Sequence, residues 1–164
     1  MSPFQTPESL RRSAMAVLLA LAASAGHAHD FRLGALVIDH PYALPSPPGA
    51  STGAVYLRGL KNSGSSDDRL IGARTPAAGS VEIHRSTLDG SVMRMRAVDA
   101  VPLPAGSETR LRHGGEWHLM LVGLKAPLKV GDRITMTLQF ERAGEKEIRV
   151  DVQQVRSDGK GHAH

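Results

Sequence analysis

Beyond residue 28 the chain runs in short segments of alternating apolar and polar residues, cut by Gly, Pro, Asn and Asp. A period of two is the mark of a half-buried strand. It predicts strands over Leu33 to Asp39, Gly53 to Leu60, Arg69 to Arg74, Ser80 to Thr87 and Val92 to Val98. Further strands are expected over Glu108 to Arg112, Trp117 to Gly123, Arg133 to Glu141 and Lys146 to Gln154. Nine short strands with no helix of useful length describe an all-β domain, a sandwich or Greek-key barrel. Pro41, Pro45, Pro47 and Pro48 crowd the segment 41–49, and their fixed φ and missing N–H predict a loop or edge crossing there.

The first 28 residues read differently. Arg11 and Arg12 precede an apolar run from Ala14 to Ala23, and Gly26-His27-Ala28 ends the stretch with small residues around a cut. This is the layout of a secretory signal, with cleavage expected after Ala28 and Ala23-Ser24-Ala25 as a competing site. No other segment approaches the ~20 apolar residues a spanning helix needs, so an exported, periplasmic chain without stable membrane insertion is expected. Residues 29–156 then form one domain, and 157–164, with His162 and His164, a tail with nothing to bury. Without residues 1–28 the chain keeps 18 basic and 15 acidic side chains, too small and scattered an excess for nucleic acid. One Trp and three Phe supply no stacking platform for single strands either.

The chain has no cysteine, so any metal site must use His, Met or carboxylate. Two His and Met pairs stand out. Asp89-Gly90 is a two-residue turn signal, and a hairpin centred there pairs residues whose numbers sum to 179. His84 is then expected directly opposite Met95, with Ser86 opposite Met93. In Trp117-His118-Leu119-Met120-Leu121, strand alternation sends His118 and Met120 to one side and the two leucines to the other. Thioether sulfur is a soft donor suited to Cu(I), and imidazole binds copper in either oxidation state. The ordinary alternative is that each Met fills core space and each His finds a local hydrogen bond. Met136, on an alternating apolar face, is expected in the core. Met93 is an additional or alternative sulfur donor, and Trp117 either shields the site or packs beside it.

From Gly34 to about Val155 the sequence resembles the periplasmic copper chaperone family PCu(A)C. The matching residues include Pro47-Pro48-Gly49-Ala50, Gly53-Ala54-Val55-Tyr56-Leu57, Asn62, Asp68-Arg69-Leu70 and Val81-Glu82-Ile83-His84. They continue through Met93-Arg94-Met95, the stretch 101–106, His118-Leu119-Met120-Leu121 and the stretch 124–128. The family's metal motif places ten residues between a His and a Met, then twenty-one before His-x-Met. Here His84 and Met95 enclose ten, but twenty-two separate Met95 from His118, because Gly114-Gly115-Glu116-Trp117 is one residue longer. Tyr42 stands where the family commonly has Trp. The resemblance implies a cupredoxin-like β-sandwich that binds Cu(I) through His84, Met95, His118 and Met120. It also implies copper delivery towards cytochrome oxidase assembly, to an oxidase subunit or through a thioredoxin-like assembly protein. Some members carry His- or Met-rich tails, of which His162 and His164 look like a minimal version, able to hold Cu(II) or simply solvated.

Three other readings compete. A blue-copper electron carrier would need the thiolate this chain lacks. A copper-dependent redox protein could use an N-terminal His29 with His40, His113 or a tail histidine. A structural β-sandwich would use none of these residues. No paired carboxylates, activated nucleophile or phosphate loop suggests an enzyme.

Overall fold

The computed structural model describes residues 30–155; the expected leader, His29 and the tail from 157 to 164 lie outside the described residues. Eleven strands follow one another: β1 (Asp30–Leu33), β2 (Leu36–Ala43), β3 (Thr52–Asn62), β4 (Asp68–Arg74), β5 (Ala78–Asp89), β6 (Val92–Val98), β7 (Val101–Leu103), β8 (Glu108–Leu111), β9 (Trp117–Leu124), β10 (Arg133–Phe140) and β11 (Gly144–Val152). Every expected strand segment forms a strand, β1 and β7 are additional, and no helix occurs among the described residues.

The strands join in one sheet of order β6-β5-β9-β3-β2-β11-β10-β4-β7, with β1 added to β2 and β8 to β3. The sheet curls, so that β7, at one end of the path, returns against β3 and β8. Its concave side holds the core. Leu119 and Leu121 of β9, Met136, Leu138 and Phe140 of β10, and Ile148, Val150 and Val152 of β11 all point inward at two-residue spacing. Met136 is therefore core, as its alternation predicts.

The expectation for Pro41 is corrected: β2 runs straight through it to Ala43. One edge of β2 pairs with β1 over Leu36 to Asp39 and then with β11 at Tyr42 and Ala43. Pro41 falls in the gap between these two partners, where the strand can do without an N–H. The buried positions also change phase, from Leu36 and Ile38 to Pro41 and Ala43. His40, the one described non-glycine residue with positive φ (43°), makes the change. β3 switches at the facing position, from Val55 and Leu57 to Leu60 and Asn62. Matching irregularities in paired strands make a corner, which lets β2 and β3 serve both halves of the curled sheet. Arg58 clamps the corner with a bidentate pair to Asp39, at 2.6 and 2.7 Å.

Two buried polar side chains hold the loop after β3. The Asn62 amide donates to the carbonyls of Ser66 and Leu103 and accepts from Gly64 N–H. The Asp68 carboxylate accepts three backbone N–H bonds, from Arg69, Arg142 and Ala143, at 2.8 to 3.0 Å. This ties the start of β4 to the β10–β11 turn. Asp68→Ala leaves three part-buried amide donors without their acceptor. The variant should lose at least about 3 kcal/mol of stability, read as a lowered urea midpoint at unchanged m-value; an unaltered midpoint would contradict the anchoring role.

Candidate metal centre

The centre is set by β5, which lies between β6 and β9. In the β5–β9 pairing His84 stands directly opposite His118, and Glu82 opposite Met120. The two imidazoles meet at 5.3 Å between ring centroids, 61° apart in plane. Even-numbered residues of β9 point away from the core leucines, as strand alternation predicts, so His84, His118 and Met120 share the outer face of the sheet.

The hairpin register differs from expectation. Asp89 pairs with Val92, Ser86 with Met95 and His84 with Ala97, so paired numbers sum to 181. The two turn residues are Gly90 and Ser91, not Asp89 and Gly90. Gly90 has φ of 63° while Ser91 is not among the positive-φ residues. That is the pattern of a type II′ turn, with glycine first; centring on Asp89-Gly90 would have favoured type I′ and a positive φ at Asp89. A shift of two residues preserves the face, whereas a shift of one would have inverted it. Met95 therefore stays on the face of His84 but moves from directly opposite to diagonal.

His84 becomes the hub of the four residues. His118 faces it, Met120 is its diagonal neighbour on β9, and Met95 its diagonal neighbour on β6. Diagonal neighbours in a sheet stand about 7–8 Å apart, within reach of a methionine side chain. The two methionines lie on opposite sides of the imidazole row. Met95 belongs to the part of the hairpin beyond Arg85, the last residue of β5 with a partner on β9. It is 58% exposed, and Met93, two pairs further out opposite Leu88, is 53% exposed. A two-stranded ribbon of this kind twists more strongly than the sheet it leaves.

The imidazoles, by contrast, are covered. His118 is 6% exposed although it sits on the outer face. Tyr56 lies beside it on β3 at 6.2 Å between centroids, Tyr42 stacks on Tyr56 at 5.2 Å, and the His113 ring meets Tyr56 edge-on at 5.6 Å. Tyr42, Tyr56, His118 and His84 thus form one row of rings across β2, β3, β9 and β5. A search for His and Met ligands passes over Tyr56 and Tyr42; their signal lies in the alternation of β3, which sends Tyr56 outward between the core residues Val55 and Leu57. Trp117 lies on the other face of β9, packed against the core with the Arg85 guanidinium 5.2 Å above its ring. It does not shield the centre.

The extra residue before His118 is absorbed by a tight turn. Gly115 N–H donates to the Arg112 carbonyl at 2.8 Å, and Gly114 adopts φ of 74°. The strand restarts at Trp117 with the pairing to β5 intact.

Burial, and after it electrostatic interaction with the neighbouring His84, hold the His118 imidazole below its usual range. Its neutral form, the one with a lone pair to donate, is thereby favoured. The His84 Nε2 lies 2.8 Å from Glu82 Oε2. His84 Nδ1 is buried and has no hydrogen-bond partner, the only such side-chain atom among the described residues. A buried nitrogen with a free lone pair is costly unless something fills the place. Among the described residues no three His, Cys, Asp or Glu gather as a metal cluster. With no cysteine in the chain, any sulfur donor beside the two imidazoles is a thioether. Two imidazoles with flanking thioethers fit a soft monovalent ion such as Cu(I).

Comparison with known proteins agrees with this chemistry. The LpqE-like family model, which describes lipoproteins, matches residues 36–152. Lxx21020 of Leifsonia xyli subsp. xyli, a protein that carries a lipoprotein name, is 38% identical over 94 residues; the match spans 57% of this chain and 56% of that protein. Among solved structures, the copper-bound PCuAC domain from PmoF2 aligns with a TM-score of 0.65 at 30% identity, over 76% of this chain and 97% of that one. The Cu(I) form of DR1885 from Deinococcus radiodurans aligns with a TM-score of 0.60 at 28% identity, over 84% of this chain and 89% of that one. The all-β, cupredoxin-like fold expected from the sequence is the fold found.

The lowered His118 pKa has a thermodynamic consequence. The unfolded chain takes up a proton near pH 6.5, while the folded chain resists it to lower pH. Stability from this group is complete above pH 6.5 and declines as pH falls from there towards the folded pKa. Urea midpoints of the metal-free protein from pH 8 to pH 5 should therefore drop on acidification, and His118→Gln should flatten the drop. Parallel curves for the two proteins would refute the assignment.

Proposed function

The chain belongs to the LpqE-like family and its solved neighbours are PCu(A)C domains, and on that premise we propose that it is an exported copper chaperone. It carries one Cu(I) on the outer face of its sheet. His84 and His118 supply imidazole nitrogen, and Met120 and Met95 supply thioether sulfur. The observation that carries this reading is the partnerless His84 Nδ1, buried where, among the described residues, two imidazoles meet.

The asymmetry of the centre suits carriage rather than storage or turnover. The imidazoles are enclosed by rings and hold the ion. The hairpin thioethers are exposed, bind more weakly than thiolate, and can be replaced one at a time by a partner's ligands. Met93 continues the same face outward and can stand in for Met95. Copper-bound PCuAC from PmoF2 and Cu(I)-DR1885 are proteins of the same fold whose names record the metal. The recipient proposed is a copper site of cytochrome oxidase, reached directly or through a thioredoxin-like assembly protein. Export to the periplasm follows from the signal-like residues 1–28 and accords with a lipoprotein-named relative. No group in the centre is arranged to activate a substrate, so an enzymatic role is not proposed.

A competition titration against a chromophoric Cu(I) chelator tests the ligand set. His84→Ala, His118→Ala and Met120→Ala should each weaken binding about tenfold or more, near 1.4 kcal/mol per decade. Met95→Ala alone should lose less than the Met93→Ala, Met95→Ala double variant. Equal affinities throughout the series would rule out this centre.

A further inference from the structure

Glu82 is not among the four ligands, yet it stands inside their constellation. It faces Met120 in the β5–β9 pairing and shares the outer face with His84. Its Oε2 is 2.8 Å from His84 Nε2. A carboxylate can only accept, so this contact requires Nε2–H to donate. A neutral imidazole has one ring proton; with that proton on Nε2, the Nδ1 lone pair is bare. Nδ1 is the atom that is buried without a partner. The opposite tautomer would bury an Nδ1–H with no acceptor and set the Nε2 lone pair against a carboxylate oxygen. An imidazolium would share the first of these defects.

We propose that Glu82 is a positioning residue: it fixes the Nε2–H tautomer of His84 and so dedicates Nδ1 to the incoming ion. The assignment rests on the copper reading of the centre and adds to it the ligating atom and the group that selects it. A hydrogen bond from the outer nitrogen of a ligating imidazole also holds the ring against rotation and raises its basicity. Glu82 is itself 47% exposed in its side chain and packs no core, so its replacement leaves the fold in place.

The test uses the full chain, metal-free and ¹⁵N-labelled, with long-range ¹H–¹⁵N correlation of the imidazole nitrogens, followed by Cu(I) titration against a chelator. Wild type should show His84 as a single tautomer protonated at Nε2. Glu82→Ala should lose that preference and raise the Cu(I) Kd about tenfold, the usual scale for removing such a partner. Glu82→Gln, which can accept or donate, should fall between the two in both measurements. An Nδ1–H tautomer in wild type would overturn the proposal, as would an unchanged tautomer in Glu82→Ala. So would an unchanged Kd in Glu82→Ala beside a raised Kd in His84→Ala. If His84→Ala binds Cu(I) as wild type does, the copper reading itself falls and takes this one with it, a result distinct from failure of Glu82 alone.

Discussion

Everything distinctive about this protein depends on the pairing of β5 with β9. That pairing sets two imidazoles opposite each other in one row, with Glu82 and Met120 in the next. It does so from residues more than thirty positions apart in sequence, so the contact exists only because the backbone ladder closes. Placing one partly buried imidazole against another is unfavourable on electrostatic grounds once either is charged. The rings of Tyr56 and Tyr42 cover the His118 end of the row, and burial there disfavours the charged form of His118. The same cover that makes His118 a poor base keeps its lone pair ready.

The strands were largely legible in the sequence, because each strand that buries one face must alternate. Positions such as Leu119, Leu121, Met136 and Leu138 announce their side of the sheet. The corner was not legible. Pro41 argues locally for a break, and only the exchange of partners along β2, from β1 to β11, shows that a strand can pass through it. The phase switch at His40 has only a weak signal, since histidine is enriched at positive φ relative to most residues but seldom takes it, and nothing nearby marks the position.

For the centre, parity was legible and register was not. Which face His84, Met95, His118 and Met120 occupy depends only on odd and even numbers, and a two-residue error leaves it unchanged. The choice between Asp89-Gly90 and Gly90-Ser91 depends on which residue takes the positive φ, and both dipeptides are good turn formers. Glu82 and Tyr56 belong to segments that match the family pattern, but their part in the centre comes from cross-strand neighbours that a single strand does not reveal.

The turn at Gly114 and Gly115 has a wider implication. It takes up an additional residue between the hairpin and His118 while the ladder beyond it stays in step. What the proposed centre requires is a set of strand partners, which leaves the length of chain that connects them free to drift. A definition of such centres by residue count would pass over proteins that keep the whole arrangement, whereas one written as facing pairs would gather them together.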